Sequence, residues 1–187
     1  MTAATRHVGF MMGSPELTGE LLCTLAASKP GGKLLELGTG TGLATAWLLH
    51  GMSPDATLLS VDNDAEAVAV ARTHLGNDTR LELKTGDGFE LLRELKSEAF
   101  DLIFADTWPG KIHAPELALD LVSPGGFYVV DDMELAWATN KNLLDDTLLG
   151  VWEGQRRLMS LLETRTDFLC TSMNWSTGLI VYTKLSR

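Results

Sequence analysis

Apolar runs of four to six residues alternate with helix-period segments through most of the chain, and no other feature narrows the possible folds as far. Lys33–Leu37, Thr57–Val61, Leu81–Lys84, Phe100–Ala105 and Phe127–Val130 read as strands. Thr41–His50, Asp64–Leu75, Gly88–Lys96 and Ile112–Leu121 lie between them as helices. Strands that are nearly all apolar, each followed by a helix, predict parallel pairing with right-handed crossovers and helices on both faces. Before this series, Ser14-Pro15-Glu16 reads as an N-cap with proline at the first helical position, opening a helix to about Ser28 that Pro30-Gly31-Gly32 stops. After it, Asn142–Glu163 reads as one long helix. Thr166–Thr171 and Gly178–Thr183 follow as two strands only six residues apart, and so short a link predicts an antiparallel hairpin. The expected fold is α/β: a Rossmann-like seven-stranded sheet, parallel with a C-terminal antiparallel hairpin.

At 187 residues the chain is sized for a single domain, 1–187, with residues 1–30 as an N-terminal helical segment covering the site. Fifteen Lys and Arg against 25 Asp and Glu give a net charge of −10, which argues against nucleic acid as the partner. Two cysteines, Cys23 and Cys170, are too few for a disulfide framework or a four-thiolate zinc site. No run reaches the roughly 18–20 apolar residues of a membrane span. The short Val8–Met12 stretch is not a secretory signal, so the expectation is a soluble, cytoplasmic protein with no membrane partner.

Ligands of open parallel sheets bind beyond the carboxyl ends of the strands. Gly38, Thr39, Gly40, Thr41 and Gly42 leave the first strand, with Glu36 inside it. The second strand ends in Asp62, the third runs into Gly86-Asp87-Gly88, the fourth ends in Asp106 and the fifth in Asp131-Asp132. A glycine turn admits close backbone approach, and Asp62, 22 residues past Gly40, is at the separation for a carboxylate that accepts both hydroxyls of a ribose. Gly42 is followed by Leu43-Ala44-Thr45, which excludes a Walker loop. An edge this acidic disfavours a pyrophosphate. A ribose-bearing ligand with a positive centre and no phosphate suits it, and S-adenosylmethionine is the common cofactor of that description.

Leu34-Leu35-Glu36-Leu37-Gly38-Thr39-Gly40-Thr41-Gly42, Val61-Asp62-Asn63-Asp64, Gly86-Asp87 and Phe100–Asp106 resemble the successive motifs of class I S-adenosylmethionine-dependent methyltransferases, over roughly residues 31 to 132. The resemblance implies that Glu36, Gly38, Thr39, Gly40 and Gly42 shape the pocket for the methionine end, and that Asp62 holds the ribose. Asn63 would line the adenine site, Asp87 would accept from the adenine amino group beside Gly88, and Phe89 is a candidate adenine wall.

Asp106 to Met133 is similar to the catechol O-methyltransferase-like group, in which an acid after the fourth strand and an Asp-Asn pair after the fifth hold a magnesium ion that acidifies the acceptor hydroxyl. Here Asp106, Asp131 and Asp132 are the candidate metal ligands, and adjacent strands about 4.8 Å apart let Asp106 and Asp131 share one ion. Asp132 stands where that group usually has Asn, and Lys111 stands five positions after Asp106 where the group's lysine usually stands three. Lys111 or His113 is the expected base, with Asp106 beside them, and Trp108 lines the site.

Met11 and Met12 resemble the N-terminal segment that closes over substrate in this group. Trp137, Trp152 and Trp175 fall near connections that recruit substrate contacts, whereas His7, His50 and His74 carry no ligand spacing. The function expected is O-methylation of a small-molecule acceptor. The alternatives are aminopropyl transfer, as in polyamine enzymes, and a non-catalytic S-adenosylmethionine-binding regulatory module. Leu143, Leu144, Leu148, Leu149, Val151 and Trp152 make the last long helix apolar enough to pack on the sheet or on a second subunit, and a homodimer is expected by analogy.

Overall fold

The computed structural model describes residues 12–95, 99–137 and 145–186. In chain order the elements are α1 (Glu16–Ala27), β1 (Lys33–Leu37), α2 (Leu43–Gly51), β2 (Thr57–Asp62), α3 (Ala65–Leu75), β3 (Leu81–Thr85) and α4 (Gly88–Glu94). They continue with β4 (Phe100–Ala105), α5 (Pro115–Asp120), β5 (Val122–Val130), a 3-10 turn (Glu134–Trp137), α6 (Asp146–Glu163), β6 (Phe168–Met173) and β7 (Leu179–Lys184). One seven-stranded sheet has the order β3-β2-β1-β4-β5-β7-β6. Pairs from β3 to β5 are parallel, and β7 lies antiparallel to both β5 and β6.

Successive side chains of a strand point to opposite faces, so apolar runs without alternation must be covered on both sides. Leu34, Leu58, Leu102, Phe104 and Val129 pack on one face with Leu22 and Ala26 of α1 and Ala44 and Leu48 of α2. Leu35, Leu37, Ile103, Tyr128 and Val130 pack on the other with Leu91 and Leu92 of α4, Leu119 of α5 and Leu158 and Leu162 of α6. Full burial of such a side chain contributes about 1.5–3 kcal/mol, and this two-sided core holds the strand ends in register.

Three local expectations shift here. The N-cap of α1 is Pro15, without a side-chain cap bond. Ser14 does not cap the helix, because its hydroxyl donates instead to Asp106 at 3.1 Å. The helix expected from Ile112 begins at Pro115, since Ala114 takes a left-handed conformation (φ 51°) and 108–113 closes into a turn on the Trp108 carbonyl. Strand β5 begins at Val122 rather than Phe127, because a register shift opposite Phe100 and Leu102 absorbs the Ser123–Gly126 segment.

The long helix starts at Asp146, capped by the Asp145 carboxylate on the Leu148 amide at 2.9 Å. Its buried face is Gly154, Gln155, Leu158 and Leu162. Leu148 is exposed, and Leu143 and Leu144 lie outside the described residues. Among the described residues no helix is long and apolar enough to cross a membrane.

Candidate functional site

Parallel β1, β2, β4 and β5 end at one edge of the sheet, and a cavity of about 600 Å³ opens there. The backbone ladder continues past the strand ends: Gly38 and Thr39 donate to the Val61 carbonyl (2.9 and 3.2 Å), and Asp106 donates to the Leu37 carbonyl (2.9 Å). Gly38 has φ 105°, and a Cβ placed there would lie 2.8 Å from the Asp106 carbonyl oxygen. Only glycine meets both demands. Gly38, Thr39, Gly40 and Thr41 form one wall of the cavity, and Asp62, Asn63 and Asp64 form the next. Asp62 joins these two walls, accepting the Gly40 N–H at 2.7 Å through one carboxylate oxygen and the Asp64 N–H at 2.9 Å through the other.

Glu36 does not line the cavity. It is fully buried beneath the glycine turn, where one oxygen accepts from Thr45 Oγ1 (2.6 Å) and Ser60 Oγ (2.5 Å). Its other oxygen, Oε1, has no partner among the described residues. Burial raises its pKa to about 7, against the lowering effect of the two hydroxyls. A carboxyl with a folded pKa above its unfolded value of 4.5 binds more protons folded than unfolded, so stability is greatest below that value and is lost as pH rises towards 7. The loss attributable to Glu36 is about 3 kcal/mol. Denaturant unfolding at pH 5 and pH 8 should show this decline, and Glu36→Gln should flatten it. Asp106 and Asp131, also raised, add a decline of the same sign that this variant retains.

Beyond β4 and β5 the cavity reaches Asp106, Asp131 and Asp132, which each offer an oxygen within 4.8 Å of the others. Burial is the main cause that raises the Asp106 and Asp131 carboxyls above the ordinary range, and the neighbouring acids add to it. Each acid has a partner within the chain. Asp106 accepts from Ser14, and Asp131 accepts from the Thr177 hydroxyl and from the Asp132 amide (2.8 Å). Asp132 faces the Lys111 ammonium at 3.8 Å.

Lys111 is only 6% exposed and donates to the Asp131 carbonyl at 3.2 Å. The Tyr128 hydroxyl holds the preceding Gly110 carbonyl, which fixes the turn that carries the lysine. Asp132 sits at φ 55°, a left-handed conformation that Asp and Asn tolerate best among non-glycine residues. An all-carboxylate set of this spacing has the oxygen chemistry that a hard divalent cation takes.

The remaining sequence-derived residues distribute unevenly. Trp108 is half exposed and lines the cavity, as does Met12, whereas Met11 lies outside the described residues. Gly42 stands behind the turn with φ 87°, packed against Ala71 of α3. Asp87 caps α4 through the Phe89 amide at 2.7 Å, Gly88 lies against Pro109, and the Arg93 guanidinium lies 5.6 Å from the Phe89 ring centroid. None of Asp87, Gly88 and Phe89 lines the cavity. His113 is exposed and stacks edge-on against Trp108, also away from the cavity. Ser14 and Thr177 were not legible as site residues. They are brought in from the segment just before α1 and from the β6–β7 turn, 92 and 46 residues from their acid partners.

A family model described as a methyltransferase domain matches residues 35–133. A protein named as an O-methyltransferase in Mycobacterium avium (strain 104) is 33% identical over 140 residues, 70% of this chain and 62% of that protein. One from Mycobacterium marinum is 35% identical over 137 residues, 69% of this chain and 60% of that protein. The chain thus spans about six-tenths of the length of these curated relatives. Among solved structures, the O-methyltransferase from Bacillus cereus in complex with SAH superposes with a TM-score of 0.85 at 22% identity, over 98% of this chain and 88% of that one. The O-methyltransferase TomG from Streptomyces achromogenes, in complex with SAM, gives 0.82 at 27% identity, over 98% and 86%. Since the matched stretch exceeds half the chain and runs from β1 to the acids after β5, through the turns that wall the cavity, the chain belongs to the methyltransferase domain family.

Proposed function

We propose that this protein is an S-adenosylmethionine-dependent O-methyltransferase of a small-molecule acceptor. The observation that carries the reading is the Asp62 carboxylate, held by the Gly40 amide at the rim of a cavity whose far end is acidic. Asp62 presents its oxygens to the two ribose hydroxyls, Asn63 flanks the adenine, and the Gly38–Gly40 backbone lets the methionine chain approach closely. The acids beyond β4 and β5 complement the sulfonium and the amino group. Similar proteins support the reading, since the Bacillus and Streptomyces enzymes hold SAH and SAM respectively.

An acceptor hydroxyl oxygen attacks the methyl carbon in line. The carbon–sulfur bond breaks, S-adenosylhomocysteine leaves, and the hydroxyl proton passes to the chain. Lys111, which lines the cavity, is the group assigned to take that proton once its ammonium has released one to solvent, and the ammonium re-formed offsets the charge left by the reaction. Asp106, Asp131 and Asp132 would hold magnesium, which when bound lowers the pKa of a coordinated hydroxyl. Positioning in a walled cavity supplies much of the remaining rate.

Calorimetric titration with S-adenosylmethionine and S-adenosylhomocysteine tests the reading. Micromolar binding of both is expected, and a folded sample that binds neither would overturn it.

A further inference from the structure

Two hydroxyls from distant parts of the chain hold two of the acids beyond β4 and β5. The Ser14 hydroxyl, just before α1, donates to Asp106 Oδ2 at 3.1 Å. The Thr177 hydroxyl, just before β7, donates to Asp131 Oδ1, which also accepts the Asp132 amide at 2.8 Å. Asp132 Oδ2 faces the Lys111 ammonium at 3.8 Å. One oxygen of each acid is therefore engaged. The second, Oδ1 of Asp106, Oδ2 of Asp131 and Oδ1 of Asp132, accepts no hydrogen bond among the described residues. A carboxylate held through one oxygen presents the other in a fixed direction, as a ligand to a hard cation requires.

The two hydroxyls belong to one bridge. Thr18 of α1 is fully buried, and its Oγ1 lies 2.9 Å from the Oγ of Ser176, the neighbour of Thr177 in the β6–β7 turn. That contact ties the segment that carries Ser14 to the turn that carries Thr177. Both carriers are seated by glycines. A Cβ on Gly19 would fall 2.1 Å from the Trp47 ring, so α1 lies directly on α2. Gly178 (φ 81°) would place a Cβ 2.5 Å from the Glu134 amide nitrogen, and its carbonyl accepts the Met133 amide at 2.8 Å. Topology supplies the rest: β7 runs antiparallel beside β5 with Ile180 opposite Val130, which brings the start of β7 to the acids that follow β5.

We propose that Ser14 and Thr177 are positioning residues for a divalent cation at Asp106, Asp131 and Asp132, joined into a single clamp by the Thr18–Ser176 contact. The inference rests on the magnesium reading of the three acids and adds to it the residues that aim the ligands. Cation affinity then depends on the seating of the segment before α1, which lines the same cavity through Met12, Gly13 and Ser14. By linkage, a cation on the clamped acids holds that segment in place over the cavity in turn.

Manganese(II) is the probe, because its paramagnetic resonance signal gives the affinity of the full-length chain for a divalent cation without any turnover. Ser14→Ala and Thr177→Val should each weaken manganese binding about tenfold, within the range for loss of a group that holds a metal ligand. Thr177→Ser keeps the donor and should stay within about threefold of the wild type, a rescue that a packing role would not give to the smaller side chain. Thr18→Val touches none of the acids, yet it should weaken manganese binding about threefold by parting the two arms. The Ser14→Ala/Thr177→Val double variant should lose clearly less than the roughly hundredfold product of its parts, since contacts in one network are not additive. Wild-type affinity in either folded single variant at Ser14 or Thr177, or no rescue by Thr177→Ser, overturns the positioning role and leaves the cation site standing. Additive losses in the double variant, or wild-type affinity in Thr18→Val, overturn the joining of the arms. A wild-type chain that binds no manganese removes the cation reading and the clamp with it, whereas S-adenosylhomocysteine binding tests methyl transfer separately.

Discussion

Asp62→Ala is expected to weaken S-adenosylhomocysteine binding about a hundredfold. A carboxylate that accepts from two ribose hydroxyls makes two charge-assisted hydrogen bonds, each contributing roughly 1.5–3 kcal/mol. Their loss amounts to at least about 3 kcal/mol, or two powers of ten in affinity. The same carboxylate already ties the Gly40 amide of the glycine turn to the start of α3 through the Asp64 amide. Alanine therefore also frees two backbone donors at the cavity wall, which loosens the turn that the ligand must find in place. Asp62→Asn keeps one acceptor oxygen and should lose about tenfold by the same arithmetic. Calorimetry gives both affinities, and circular dichroism establishes that the variants are folded. Unchanged affinity in Asp62→Ala would remove the ribose contact from the proposed binding mode.

The second large effect is expected at Lys111. With methionine in its place, turnover should fall by about 10²–10⁴, the range that a positioned acid or base contributes. Binding of S-adenosylmethionine should stay equal or tighten. The electrostatics set this opposite sign: the ammonium is the counter-charge nearest to Asp132 and lowers the Asp106 pKa against the effect of burial. Without it the acidic end of the cavity attracts the sulfonium and amino group more strongly, while the acceptor proton loses its destination. A collapsed site would lose affinity and turnover together, so the split between the two separates lost chemistry from lost structure. His113→Ala should leave turnover within about threefold, because His113 is exposed, packs edge-on against Trp108 and does not line the cavity. Single-turnover rates with a methylated acceptor as readout check both variants.

The two candidates for the base look alike in sequence, as polar residues in a Pro/Gly-containing loop after the fourth strand. They part in space because residues 108–113 fold back on the Trp108 carbonyl. The turn delivers Lys111 inward beneath Asp131 and leaves His113 outward. Asp87 parts from the other strand-end acids for a similarly local reason, since its carboxylate caps α4 through the Phe89 amide and lies beyond the cavity lining. Glu36 has the strand-end neighbourhood expected of it, yet it acts from below the turn through Thr45 and Ser60.

Local pattern determined the architecture. The largely apolar runs of β1, β2, β4 and β5 must be buried on both faces, which forces helices onto both sides of a parallel sheet and brings the carboxyl ends of the strands to one edge. Gly38, Asp62, Asp106, Asp131 and Asp132 were therefore legible as neighbours from their places at strand ends. Tertiary structure alone decided what surrounds them. Ser14 reaches Asp106 across 92 residues, Thr177 reaches Asp131 across 46, and Gln155 reaches the Asp132 carbonyl across 23. No periodicity encodes such contacts. They arise where the segment before α1, the β6–β7 turn and α6 dock on the finished sheet, and docking leaves the Gln155 Oε1 buried without a partner among the described residues.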